Sequence, residues 1–265
     1  MTRRRLDAEL VRRGLVSSRA EAQDAVRAGL VHVAGTPATK AASMVADDAP
    51  LRLSGPSRRF VSRGGDKLRA ALDRWSIDPT GLDCLDAGAS TGGFTDCLLH
   101  AGAARVLAVD VGYGQLAWEL RTHERVVVLE RTNVRTLTPE AIPFAPRLVV
   151  GDLSFIPLCL VTETLVRIAH AHAEFVTLVK PQFEAGPQDV RRGGVVRDPL
   201  VWARVLEGVI EAFGAAGAPA TAVMASPIVG PAGNVEFLLW AANGAPVAEP
   251  DIEAAVAEGQ AVRSA

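Results

Sequence analysis

The stretch Asp86-Ala87-Gly88-Ala89-Ser90-Thr91-Gly92-Gly93-Phe94 sits where an apolar run, 84–87, gives way to residues with helical spacing, Phe94, Cys97, Leu98 and Gly102. A glycine turn between strand and helix lets a ligand approach the backbone, and the first N–H groups of the helix have no partner within it. Outward from this turn, strand-like runs recur at 106–110, 126–130, 148–152, 175–180, 221–225 and 235–241, most of them separated by stretches of helical character. Such alternation predicts an α/β fold with a mainly parallel sheet covered on both faces. Only residues 226–234 join the last two runs, too few for a helical crossover, so the final strand is expected to be antiparallel. Upstream, Leu68, Ala71, Leu72 and Trp75 share one face of a helix expected over 66–77.

Sheets of this kind bind ligands beyond the carboxyl ends of their strands. The dinucleotide fingerprint needs a second glycine where Ser90 stands, which disfavours a pyrophosphate-bearing cofactor. The D-x-G-x-x-x-G-G form is instead similar to the loop that holds S-adenosyl-L-methionine in Rossmann-like methyltransferases. That resemblance implies cofactor contacts from Asp86, Gly88, Ser90, Gly92, Gly93 and Phe94. Asp110, closing the second run, is placed to accept the hydroxyls of a cofactor ribose, and Asn133, after the third, is placed to meet the adenine.

Two further strand ends carry chemistry. Asp152-Leu153-Ser154-Phe155 lacks the prolines that hold a planar amine in enzymes methylating exocyclic base nitrogens. None of Cys84, Cys97 and Cys159 has the context of a cytosine C5 nucleophile. Lys180, at the end of an apolar run, needs a partner because an unpaired buried ammonium is costly, and Asp152 on the expected neighbouring strand end is the natural one. Lys67, in Arg63-Gly64-Gly65-Asp66-Lys67, and Glu236, at the start of the antiparallel strand, converge on the same edge.

The first 60 residues differ in charge. They hold 11 Lys+Arg against 6 Asp+Glu, a net of +5, whereas residues 61–265 hold 17 against 24, a net of −7. A small basic module on an acidic body points to a polyanionic partner. Leu6, Leu10 and Val11 keep helical spacing up to Gly14; Ser18-Arg19-Ala20-Glu21 has the form of a capping box opening a helix that stops at Gly29. Val31-His32-Val33 and Leu51-Arg52-Leu53 alternate as strands. This pattern resembles the RNA-binding domain named after small-subunit ribosomal protein four, with Ala34-Gly35 where that domain usually has Asn-Gly. Arg3, Arg4, Arg5, Arg12, Arg13, Arg19 and Arg27 are the candidate phosphate contacts. Ser54–59 has linker composition. The expected organisation is an RNA-binding domain over 1–58, a linker over 59–65, and a catalytic domain over 66–245 with a C-terminal helix to 265.

Composition narrows the function classes. At 49% hydrophobic, 22% charged and a net charge of −2, the 265 residues are neither a disordered nor a polyelectrolyte sequence. Three cysteines without a CxxC pair argue against a disulfide scaffold or a cysteine metal site. His170-Ala171-His172 lacks a third ligand at close spacing, so no metal is expected. The uncharged window 212–235 contains seven glycines and prolines and does not read as one spanning helix. Asp7 and Glu9 follow the N-terminal arginines where a signal peptide would be apolar; a cytoplasmic protein without membrane insertion is expected.

Together, Lys67, Asp152, Lys180 and Glu236 match the K-D-K-E tetrad of FtsJ-like ribose 2′-O-methyltransferases. The segments 61–67, 86–95, 110–118, 152–156 and 179–184, behind the basic module, resemble the TlyA (hemolysin-A-like) family across almost the whole chain. The resemblance implies methylation of ribose 2′-hydroxyls on cytidines of 16S and 23S ribosomal RNA, with ribosomal RNA or subunits as partner. The residues ahead of Leu6 are similar to the longer N-terminus of members acting on both RNAs. It further implies that Lys180 sits at the 2′-oxygen, oriented by Asp152, as electrostatic stabiliser or as base, while Lys67 and Glu236 complete the charge network and steer the ribose. Three rivals are a dinucleotide-dependent oxidoreductase, a non-catalytic RNA-binding assembly factor and a membrane-active hemolysin. The first leaves Lys67, Lys180, Glu236 and the basic module unexplained. The second would tolerate a broken tetrad, and the third needs a spanning segment.

Overall fold

The computed structural model describes residues 3–16, 19–54, 59–190 and 193–264. They divide into two units, Met1–Arg59 and Phe60–Ala265.

In the first unit, β1 (Arg3–Arg5) leads into α1 (Leu6–Arg12) and α2 (Arg19–Arg27), followed by β2 (Val31–Val33), β3 (Thr36–Pro37), β4 (Met44–Ala46) and β5 (Leu51–Leu53). Leu6 and Leu10 of α1, Ala22 and Val26 of α2, Val31 and Val45 form its core. Strands β1 and β4 pair antiparallel, while β2 lies between β3 and β5. The β1–β4 ribbon was not legible, because three consecutive arginines carry no apolar alternation. At the hairpin tip Ala34 (φ 48°) and Gly35 (φ 83°) both take the left-handed backbone that a two-residue turn requires. The tip thus has the conformation an Asn-Gly pair would adopt. The expected cap at Ser18 lies outside the described residues.

The second unit opens with α3 (Arg63–Trp75), then β6 (Asp83–Ala87), α4 (Gly93–His100), β7 (Arg105–Val109), α5 (Trp118–Arg121), β8 (Val126–Leu129), β9 (Leu148–Gly151), α6 (Thr162–Ile168), β10 (Glu174–Val179), α7 (Pro181–Glu184), α8 (Pro199–Ala215), β11 (Ala220–Ala225), β12 (Phe237–Ala242) and α9 (Ile252–Ser264). All seven apolar runs become strands of one sheet, ordered β11-β12-β10-β9-β6-β7-β8. Strands β6 to β10 pair in parallel, and β12 runs antiparallel to both β10 and β11, as its short connection demands. Side chains alternate across the sheet. Leu85, Leu107, Val149 and Phe175 face α6 and α8, whereas Cys84, Val106, Val150 and Val176 face α3 and α4.

The boundary expected over 59–65 is corrected. Phe60 is buried in the core of the second unit, the Val61 N–H donates to Asp96 at 2.8 Å, and α3 begins at Arg63. The helix expected over 66–77 begins three residues earlier, and Gly64 and Gly65 in its first turn are the surface on which two helices meet. A Cβ at Gly65 would fall 2.4 Å from the Phe60 ring, and one at Gly93 would fall 3.0 Å from the Gly65 nitrogen. Glycine here permits close helix approach, which outweighs its modest helix propensity cost. Residues 55–58 of the expected linker lie outside the described residues.

Candidate active site and nucleic-acid interface

The strand order reverses between β6 and β9, which opens a crevice at their carboxyl ends. A cleft of about 670 Å³ occupies it, lined among others by Gly88, Ser90, Asp110, Gln115, Asn133, Arg135, Asp152, Ser154 and Phe155. Gly88 (φ 85°) passes so close to the neighbouring strand end that a Cβ would sit 3.0 Å from the Asp152 carbonyl oxygen. Asp110 Oδ2 accepts the Ser90 N–H at 2.7 Å and Oδ1 accepts the Gly112 N–H at 2.6 Å. The loop and the acidic strand end are therefore locked together, holding Ser90 at φ 48°. Asn133 Oδ1 accepts the Arg135 N–H at 3.0 Å, capping a short 3₁₀ turn at the cleft wall.

Four of the eight sequence-predicted cofactor residues, Gly88, Ser90, Asp110 and Asn133, line the cleft. Asp86, Gly92, Gly93 and Phe94 are instead buried behind it. Asp86 is fully buried, with Oδ2 accepting both the N–H (2.9 Å) and the hydroxyl (2.7 Å) of Thr95. It braces the start of α4 from inside, and burial pushes its pKa up to about 7. The sequence could not separate these roles, because a buttress and a contact residue occupy the same motif.

All four tetrad residues meet at one sheet edge. Lys180 Nζ lies 2.6 Å from Asp152 Oδ1 and donates to Ser154 Oγ at 2.8 Å. Lys67 Nζ donates to Glu236 Oε2 at 2.5 Å, with side chains only 8% and 2% exposed. The β10–β12 register pairs Val179 with Phe237, which sets Lys180 and Glu236 at the next position along the two strands. Two features escaped the sequence reading. Phe155 is 91% exposed at φ 64°, and its ring lies 5.1 Å from that of Phe183. A non-glycine residue in left-handed backbone beside the Lys180–Asp152 pair is strain kept in place by its surroundings. Nothing in the string Leu153-Ser154-Phe155 announces it.

In the first unit, the predicted arginines are organised by two carboxylates. Arg5 donates to Asp7 at 3.0 and 2.8 Å, and Arg19 reaches Asp7 at 3.1 Å. Arg12 and Arg13 pair with Glu9 at 2.5 and 2.7 Å, and Arg4 lies 3.9 Å away. Asp7 and Glu9 are fully buried, while Arg4, Arg5, Arg12 and Arg19 remain about half exposed. Arg3 and Arg27 are exposed. The available signal was an acidic pair beside Leu6 and Leu10 on a basic helix. Fixing long side chains in advance lowers the entropy lost on binding a polyanion.

These carboxylates also make the unit acid-sensitive. The Arg5 guanidinium holds Asp7 well below the usual carboxylate range, and hydrogen bonds from Arg12 and then Arg13 bring Glu9 to about 2. Groups with lowered folded pKa values stabilise above the unfolded value of about 4 and lose that contribution as pH falls through the folded value. Acid titration followed by amide NMR should show residues of α1 losing order between about pH 4 and 2. An Asp7→Asn, Glu9→Gln variant should lose that transition; its persistence would assign acid sensitivity to other groups.

The FtsJ-like methyltransferase family matches residues 60–243, and the S4 domain matches residues 4–49. The chain belongs to the FtsJ-like methyltransferase family. S-adenosylmethionine is the cofactor of this domain. The chain is 54% identical over 239 residues, 90% of its length, to the 16S/23S rRNA (cytidine-2′-O)-methyltransferase TlyA of Mycobacterium tuberculosis, covering 89% of that protein. It is 38% identical to hemolysin A of Brachyspira hyodysenteriae, covering 88% of this chain and 98% of that one. A solved Streptococcus thermophilus protein designated a hemolysin superposes with a TM-score of 0.82 at 36% identity, over 100% of this chain and 98% of its own. Among the described residues, no helix is long and apolar enough to cross a membrane.

Proposed function

We propose that this protein transfers a methyl group to the 2′-hydroxyl of cytidines in ribosomal RNA, presented as RNA or as ribosomal subunits. The reading rests chiefly on Lys180, held by Asp152 and Ser154 at the rim of the cleft, with the Lys67–Glu236 pair beside it. The relatedness to the Mycobacterium tuberculosis enzyme supports the same substrate.

The cleft fits S-adenosylmethionine. Gly88 makes room for it, Asp110 has lone pairs left for a ribose, Asn133 offers its amide nitrogen, and Val109, Val134 and Leu153 give an apolar wall for adenine. When bound, it supplies an electrophilic methyl on a sulfonium. The chain's own task is to align a weak oxygen nucleophile and stabilise its developing charge. Lys180 meets the 2′-oxygen with an ammonium whose direction Asp152 and Ser154 fix, and the hydroxyl proton released as the O–C bond forms passes to water at the open cleft. The Lys67–Glu236 pair keeps a second ammonium oriented near the ribose. Phe155 offers an exposed aromatic face on which a base can stack, a contact that tolerates any base. The basic unit supplies affinity through phosphates, which falls with salt.

The test is to incubate the protein with ribosomal subunits lacking the modification and methyl-labelled S-adenosylmethionine. Label in alkali-resistant dinucleotides of the RNA is expected, since a 2′-O-methyl blocks hydrolysis of the adjacent linkage. Tight cofactor binding without label in either subunit would leave the non-catalytic RNA-binding role instead.

A further inference from the structure

Two segments meet at the catalytic edge, and side-chain contacts join them. One runs from Asp152 through the 3₁₀ turn Leu158–Leu160; the other runs from Lys180 through α7. Lys180 reaches Asp152 and Ser154, and Phe183 packs on Phe155. A further contact lies away from the reacting groups: the Glu184 carboxyl takes a hydrogen bond from the Cys159 backbone, and its Oε1 accepts the Leu158 N–H at 2.6 Å. That N–H opens a helical turn and has no partner within it. The segment it anchors forms one wall of the cleft, from Asp152 to Val161.

We propose that Glu184 is a positioning residue, whose carboxyl clamps the Leu158 N–H and thereby holds the loop bearing Asp152, Ser154 and Phe155 in register with Lys180. The inference rests on the ribose-methylation reading and assigns that site a support. Without the clamp, the side-chain contacts left between the loop and the Lys180 segment are those of the reacting lysine and one exposed aromatic, among the described residues. Phe155, held in left-handed backbone, has a relaxed alternative that the loop would then adopt. The carboxyl is desolvated, its pKa pushed up to about 7 by burial. A protonated acid still accepts through its carbonyl oxygen, so the clamp works by reach and acceptor geometry rather than by charge.

Glutamine keeps both reach and acceptor, aspartate keeps the charge but is one methylene short, and alanine removes both. Glu184→Gln should therefore retain kcat within about threefold, whereas Glu184→Asp and Glu184→Ala should lose about 100-fold in kcat, the scale of a misplacement near 1 Å. The KM for ribosomal subunits should change far less than kcat, because the phosphate contacts of the basic unit are untouched. Amide exchange at Leu158 should accelerate in the aspartate and alanine variants only. If alanine does not fold, the glutamine–aspartate pair decides. An aspartate variant as active as wild type, or a glutamine variant as slow as alanine with Leu158 still protected, overturns the clamp. If the wild type transfers no methyl to ribose, the substrate reading fails, and Leu158 exchange still tests the clamp.

Discussion

Lys180→Ala should lower kcat for methyl transfer by about three orders of magnitude, the scale of losing a charge that acts only in the transition state. Affinity for S-adenosylhomocysteine, measured by calorimetry, should change little, because Lys180 is not among the residues lining the cleft. Stability should also survive. The partner left behind, Asp152, has a side chain 25% exposed, so its carboxylate can hydrate when the ammonium is gone. Near-normal turnover in this variant would remove Lys180 from the reaction.

Glu236→Ala is expected to behave differently, with a loss of stability as well as of activity. Its partner Lys67 has a side chain only 8% exposed, so removing the carboxylate strands an ammonium away from water. Breaking one side of a buried pair costs about 3–5 kcal/mol, whereas replacing both partners with apolar residues of similar size is often neutral. A double variant, Lys67→Met with Glu236→Leu, should therefore recover most of the lost stability in urea unfolding and still fail to methylate. A single-variant cost below about 1 kcal/mol would mean that water reaches the pair. Activity in the double variant would show the pair to be structural alone.

Lys180 and Glu236 were both legible in the sequence because topology follows from short-range information. Seven apolar runs, their spacing and one short connection imply a parallel sheet with an antiparallel end, and strand ends in such a sheet share an edge. The glycine turn and the acidic strand end Asp110 follow in the same way. Roles within a motif were not legible. Asp86 and Gly88 stand two residues apart, and only the place where β6 stops decides that the first is buried within the strand while the second, past its end in left-handed backbone, borders the cleft.

What the sequence by itself determined is the alternation of elements and the charge contrast between the two units, carried by periodicity and local chemistry; the four candidate residues of the tetrad came through its resemblance to a known family. Tertiary structure alone decided the rest. It recruited Gly64 and Gly65 into α3, buried Asp7 and Glu9 beneath the arginines, and joined Glu184 to Leu158. Each depends on groups brought together by packing. The worth of a glycine, a carboxylate or an N–H is set by the neighbour it meets and by whether water can reach it.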